Sequence, residues 1–451
     1  MSSEWQTARI EDIAAQRPSA MATGPFGSSI SAKYFQNEGI PVIRGANLSA
    51  DIQIKLNDSG LVFVSEEKAR EFDRCMVRKG DLVFTCWGTI NQVGLIDKDA
   101  AYGRYIISNK QMKITLDELR VDPRFVYYVF SGPEKQAEII NNGIGSSVPG
   151  FNLGQLRKHE LLLPPLHEQR AIADTLDLFT NRITLLRETN ATLEAIAQAL
   201  FKSWFVDFYP VRAKAEGLEP EGMGAATAEL FPDNFEESEL GFVPKGWRML
   251  PLEDAYEINP SRKLKKGEVA PYLDMASVGT RGHVVSRVVD REMGSGTKFT
   301  NGDTLLARIT PCLENGKSAF VDFLANDQTG WGSTEFVVLH PRAPLPPYHG
   351  YLLARHTTFR EYAIQSMSGT SGRQRVQNDV LGRYPVAVPS EEVAEAFGAI
   401  VGSIQQKIAA NQEQVKTLTQ LRDTLLPRLV SGQLRLPDME ASIDNMLSEA
   451  V

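Results

Sequence analysis

Between His167 and Phe208 the chain has no proline or glycine, and its apolar positions recur in alternating steps of four and three: Ile172, Leu176, Phe179, Ile183, Leu186, Asn190, Leu193, Ala197, Leu200 and Trp204. That spacing is a heptad seam and predicts one helix, opened by Pro164 and Pro165 and ended at Pro210, roughly 60 Å long. A seam of this length needs a partner helix. Adding 225 to each position gives Phe397, Val401, Ile404, Ile408, Asn411, Val415, Leu418, Arg422, Leu425 and Leu429, again almost wholly apolar. These lie in a second predicted helix from Glu391 to about Val430, for which Ser390 is a good N-cap. The pattern therefore predicts an intramolecular pair. Antiparallel pairing sets Asn190 opposite Asn411, and such a buried polar pair fixes register.

The remaining pattern is short apolar runs between turn signals, read as strands and tight loops. It occurs twice. RKGDLVFT at Arg78 is echoed by TNGDTLLA at Thr300, the Gly/Ser loop at Gly143 by SGTSGRQRV at Ser368, and LLLP at Leu161 by VAVP at Val386. A helical piece follows Asp122-Pro123. The expected fold class is α/β (α+β): two similar globular domains separated by two long helices in an antiparallel coiled coil, with pseudo-twofold symmetry. The expected boundaries are 1–163 and 244–388 for the domains, 164–212 and 389–436 for the helices, 213–243 for an acidic linker and 437–451 for an acidic tail.

Composition adds limits. Forty-two per cent hydrophobic and 23% charged residues are ordinary for a globular chain, and no apolar run reaches membrane-span length. The polar N-terminus carries no signal-peptide pattern, so the expected location is cytoplasmic. Cys75, Cys86 and Cys312 are too few and scattered for a disulfide framework or zinc site. The net charge of −8 is concentrated: 213–240 carry −7 and 437–451 carry −4, leaving +3 on the rest. A body so near neutrality neither demands nor forbids nucleic acid.

No catalytic constellation emerges. Asn259-Pro260-Ser261-Arg262 lacks the second proline and the aromatic ring of an amino-methyltransferase loop and reads as a turn. Asn315-Gly316-Lys317-Ser318 has Pro311 where a phosphate loop needs its first glycine. Gly143-Ile144-Gly145 and Gly294-Ser295-Gly296 lack the third glycine of a dinucleotide fingerprint. The six histidines are dispersed, so no metal site is expected. What remains are loops rich in side chains suited to base edges and phosphates. In the first domain these are Ser28, Ser29, Lys33, Arg44, Asn47, Trp87, Thr89, Asn91, Gln92 and Arg104. In the second they are Arg308, Thr310, Asn315, Lys317, Ser333, Arg373, Gln374 and Arg375.

LLLPPLHEQRAIADTLD with ALFKSWFVDFYPV, TLLPRLVSGQL at Thr424, and GPFGSS, FTCWGTINQVGLI, LLARITPCLENGK and SGTSGRQRV together resemble the specificity subunit of type I restriction-modification enzymes. The repeat departs at Ser390-Glu391-Glu392, which lacks the Leu-His-Glu-Gln-Arg wording. The resemblance implies a non-catalytic DNA reader. Each target-recognition domain would read one half of a bipartite target in double-stranded DNA, and the helices would set the spacer and dock two methyltransferase subunits. Cofactors would lie elsewhere: S-adenosylmethionine, ATP and magnesium on the methyltransferase and restriction subunits, none on this chain. Two other classes fit parts of the pattern, a self-contained adenine methyltransferase with its own recognition domain and a coiled-coil adaptor without a DNA role.

Overall fold

The computed structural model describes residues 5–145, 149–239, 241–370 and 372–436, so the acidic tail at 437–451 lies outside the described residues. The chain divides into two compact units. Unit 1 takes the residues up to Thr184 and those from Lys416 onward, and unit 2 takes Leu185–Val415.

Unit 1 holds two four-stranded sheets. The first, in the order Met21–Thr23, Gln111–Ile114, Leu82–Thr85, Val93–Leu95, is antiparallel throughout. The second runs Val62–Val64, Ile40–Ile43, Arg104–Ile107, Met76–Arg78, with its central pair parallel. Gln6–Arg9 and Glu160–Leu163 form a separate ribbon. Unit 2 repeats each arrangement. Its antiparallel sheet runs Tyr256–Ile258, Phe336–Pro341, Thr304–Ala307, Ser318–Phe320. Its mixed sheet runs Val289–Glu292, Val269–Leu273, Gly330–Gly332, Thr297–Phe299, again with a parallel central pair. Its ribbon joins Arg248–Pro251 to Pro385–Val388.

The echoed Gly-Asp motif explains part of this repetition. Gly80 and Gly302 both sit at φ +89, where a side chain would be strained. The next residue then turns back on the loop: Asp81 accepts the Arg78 amide at 2.8 Å, and Asp303 accepts the Thr300 amide at 2.8 Å. Each buried carboxylate is also tied across its sheet, Asp81 by the Thr115 hydroxyl at 2.5 Å and Asp303 by Arg262 at 2.8 Å. The strands that follow are buried on both faces. This pattern fixes their starting register.

The two predicted rods are present. The first runs Leu166–Phe201 and the second Glu391–Val430. Gln169 anchors the start of the first: its amide accepts from the Asp122 amide at 2.9 Å and donates to the Arg120 and Pro164 carbonyls at 3.1 and 2.8 Å. Ser390 caps the second through the Val393 amide at 3.5 Å.

Within unit 1, Ile172 and Leu176 share a core with Leu425, Leu426 and Leu429, and Phe179 packs against it. Ile183 is buried as well. Arg422 interrupts the apolar seam, but it is compensated because its guanidinium donates to Gln53 at 2.8 Å, whose amide in turn donates to Thr180 and Thr184. Within unit 2, Leu193 and Leu200 meet Phe397, Val401, Ile404 and Ile408, while Leu186 and Val415 are buried and Leu418, in unit 1, is half-buried. The pairing is antiparallel: Asn190 meets Asn411, and Trp204 lies 5.4 Å from Phe397. Asn411 donates to Asn190 Oδ1 at 2.8 Å, and Asn190 donates to the Ile408 carbonyl at 3.3 Å.

Two expectations need correction. The first helix does not run unbroken to Pro210: it passes into a π turn at Lys202–Val206, and Phe208 takes φ +51. Pro210 instead lies in the first turn of a new helix, Tyr209–Ala215, where its missing amide costs nothing. The acidic stretch 213–243, expected as a linker, is packed. Ala213, Phe231 and Val243 are buried, Lys214 Nζ donates to the Ala228 carbonyl at 3.0 Å, and a hairpin joins Phe235–Ser238 to Gly241–Pro244. Acidic composition concealed an apolar anchor, Phe231, that packs against Trp204 and Trp247.

Two outcomes follow. Asn411→Ala strands the Asn190 amide in a buried seam and should cost about 1–3 kcal/mol, read as a lower urea midpoint at constant m, whereas leucine at both positions should restore the midpoint. His349 is fully buried against Tyr256, and burial depresses its pKa to about 3. The folded unit thus keeps it neutral while the unfolded chain protonates it near pH 6.5. Its contribution is complete above that value and is lost on acidification, with a slope of up to about 1.4 kcal/mol per pH unit between roughly pH 6.5 and 3. Stability measured across that range should show the slope in the native chain and a shallower one in His349→Phe.

Candidate nucleic-acid interface

In each unit the antiparallel sheet continues beyond its central strand into a loop contact with the same backbone plan. In unit 1, Gly88 donates to the Pro149 carbonyl at 3.0 Å and Phe151 to the Cys86 carbonyl at 2.8 Å, bracketing a bridge between Trp87 and Gly150. In unit 2, Thr310 donates to the Gln374 carbonyl at 3.0 Å and Val376 to the Arg308 carbonyl at 3.0 Å, bracketing a bridge between Ile309 and Arg375. A second bridge closes each loop, Ile144 to Gly150 and Ser368 to Arg375. The Gly/Ser loops that echo each other in sequence therefore occupy equivalent places. Their side chains differ: Trp87 with Gly150 in one unit, Ile309 with Arg375 in the other.

Unit 1 has a cleft of about 520 Å³ beside this bridge, lined by Phe35, Arg44, Trp87, Thr89, Gln92 and Lys110 among others. Trp87 is 47% exposed, large for a tryptophan, and lies flat enough on Gly150 that a Cβ there would come within 2.6 Å of its ring. A neighbouring hollow shares Trp87, Asn109 and Lys110 and adds Phe26, which is 78% exposed. Exposed aromatic faces beside cations suit stacking on bases and contact with phosphates.

The structure brings together Arg44, Trp87, Thr89 and Gln92 of the sequence-derived set, but not all as free contacts. Arg44 is half-buried, donates to the Gly60 carbonyl at 2.9 Å and stacks over Phe35. Gln92 is committed at both ends, to the Leu48 carbonyl at 3.0 Å and the Thr85 hydroxyl at 3.2 Å. Asn47 is buried and organises its own loop: it accepts the Arg44 amide and donates to the Asn57 and Ser59 carbonyls. It is a structural asparagine. Arg104 lies on a strand and is paired with Glu66 at 2.7 Å. Ser28 and Lys33 are exposed, Ser29 donates to the Phe26 carbonyl, and Asn91 is half-buried.

In unit 2, Lys317 donates to the Met275 carbonyl at 2.7 Å and Arg308 to the Val376 carbonyl at 2.8 Å, so both brace the scaffold. Thr310 accepts the Gln374 amide, and Ser333 accepts the Glu335 amide. Asn315 and Arg373 are exposed, and Gln374 is half-buried. Arg375 is held side-on by Glu335, with Nε at 2.8 Å and Nη2 at 2.6 Å from its carboxylate oxygens. The Arg375 hydrogen bonds hold the Glu335 carboxyl below its usual pKa against partial burial.

Sequence reasoning missed Phe26, Phe35, Asn109, Lys110 and Glu335. Neither an isolated phenylalanine nor an acid stands out among polar loops, and Asn109 and Lys110 sit in a short turn that joins the cleft only through the fold. Asn259 forms a turn: at φ +51 its side chain accepts the Val338 amide at 2.8 Å. Buried His283 and His349 are bound to Tyr348 and Tyr256, and His340 meets Asp303. Among the described residues, no group of three His, Cys, Asp or Glu is placed to hold a metal, and no helix is long and apolar enough to cross a membrane.

Gly150→Ala should lift the Trp87 indole off its loop. In a chain whose other tryptophans are replaced by phenylalanine, iodide quenching of Trp87 should rise, and unchanged quenching would mean that the glycine does not seat the ring.

Residues 2–195 match the family model described as the type I restriction modification DNA specificity domain. The type I restriction enzyme HindI specificity subunit of Haemophilus influenzae is 25% identical over 409 residues, covering 79% of this chain and 87% of that protein. The MjaIX specificity subunit of Methanocaldococcus jannaschii is 23% identical over 447 residues, covering 97% and 95%. In fold, the chain resembles the crystal structure of a type I restriction-modification S subunit from M. genitalium with a TM-score of 0.56 at 16% identity, covering 95% of this chain and 96% of that one. With its paired long helices, its duplicated sheets and this likeness along nearly its full length, the chain is similar to type I restriction-modification specificity subunits, and its residues 2–195 match their DNA specificity domain.

Proposed function

We propose that unit 1 reads one half of a bipartite target in double-stranded DNA and unit 2 the other, while the paired helices set the spacer and dock two methyltransferase subunits. Chemistry then belongs to the partners. Methyltransferase subunits supply S-adenosylmethionine, and restriction subunits use ATP and magnesium, with the assembly acting in the cytoplasm. The observation that carries this reading is the duplicated bridge, Trp87 to Gly150 and Ile309 to Arg375. One scaffold presents two different sets of side chains at equivalent positions, as a target with two unlike halves requires. Trp87, Thr89 and Lys110 are the contacts of unit 1, and Arg373 and Arg375 those of unit 2.

The spacer role makes a geometric demand. Seven residues of helix rise about 10.5 Å, close to three base pairs at about 3.4 Å each. Adding one heptad to both helices, after Arg187 and after Asn411, should lengthen the spacer in the mapped methylation motif by about three base pairs and leave both half-sites unchanged. An unchanged spacer would contradict the ruler, and altered half-sites would contradict the division of labour.

A further inference from the structure

Arg375 occupies the place in unit 2 that Gly150 occupies in unit 1, and its surroundings give it more than a charge. Its backbone is fixed by exchange with Ser368, at 3.0 and 2.9 Å, and by its bridge to Ile309. Its partner is equally fixed. Glu335 donates its amide to Ser333 at 3.2 Å, and its carbonyl accepts the Arg308 amide at 2.9 Å. The carboxylate grips one edge of the guanidinium, Nε and Nη2, in a fork that only arginine can make.

The opposite edge is left over. A guanidinium has five N–H donors in a plane, and a side-on carboxylate uses the Nε–H and one Nη2–H. Nη1 and the outer Nη2–H then form a second fork, pointing away from Glu335, for which no acceptor is present among the described residues. The Arg375 side chain is 40% exposed, so this fork is open to solvent. Two parallel donors at this spacing match the adjacent O6 and N7 acceptors that guanine presents in the major groove, a pattern that no other base offers.

We propose that Arg375, aimed by Glu335, is a guanine-reading residue for the half-site of unit 2. This rests on the reading of unit 2 as a DNA-recognition domain. Pre-ordering matters because an unrestrained arginine would lose rotamer freedom on binding and could equally settle on a phosphate. Glu335 removes both options: it has already ordered the side chain, and its negative charge faces away phosphate oxygens. Glu335 is thus a positioning residue. Unit 1 has Trp87 over a glycine at the equivalent bridge, so the same feature is absent from its half-site.

The test uses the full chain assembled with its methyltransferase subunits. Duplexes carrying the target mapped for the native assembly are compared with duplexes in which each base pair of the second half-site is replaced in turn. In the native assembly one guanine should be strongly required. Arg375→Ala should reduce the preference for guanine at that one position by roughly 5- to 150-fold and leave the first half-site intact. Arg375→Lys keeps the charge without the fork and should relax the same position. Glu335→Gln should also relax it, with overall affinity falling less than selectivity. Weaker binding spread evenly over all sequences, with a shallower salt dependence, would make Arg375 a phosphate contact and overturn the proposal. Unaltered selectivity in all three variants would overturn it too, as would relaxation confined to the first half-site. If the native assembly prefers no sequence at all, the recognition reading itself fails instead.

Discussion

The seam shared by the two long helices is the constraint on which the rest depends. A heptad stripe of this length cannot remain in water, and here the chain supplies the cover itself by repeating the stripe 225 residues later. Apolar layers alone would tolerate a slip of one heptad. The Asn411–Asn190 hydrogen bond at 2.8 Å does not, because any slip leaves both amides facing hydrocarbon. In unit 1 the comparable polar insertion is Arg422, held by Gln53, which also reaches Thr180 and Thr184. Each unit thus carries its own polar peg in the seam.

On that frame, duplication is strictest where backbone hydrogen bonding decides and loosest where side chains face outward. The Gly-Asp turns, strand orders and paired loop bridges are kept in both halves. The side chains at the bridges are not. This separation lets the side chains at the bridges change without disturbing the register of a buried strand, since nothing in the bridge geometry requires the particular side chains of Trp87 or Arg375.

Much of the architecture was legible from pattern because its causes are periodic or local. The heptads gave both rods and their antiparallel sense, and the echo of Arg78 by Thr300 reflected a turn whose Gly and Asp have fixed roles. The acidic stretch was misread because three buried residues, Ala213, Phe231 and Val243, outweigh eight exposed acids in deciding whether it packs. At the interface, residue type was a weaker guide. Asn47 and Gln92 look like base readers but brace loops, because amide side chains satisfy backbone groups as readily as base edges. Glu335 was invisible, since its role exists only through a contact 40 residues away.

Recognition by this chain of a two-part DNA sequence is the central proposal. The most direct measurement is methylome sequencing of the host with and without its gene. The predicted result is a methylated motif of two specific half-sites around a fixed unspecified spacer, present only when the gene is present. A methylation pattern unchanged by the gene's removal, with the partner subunits still produced, would contradict it.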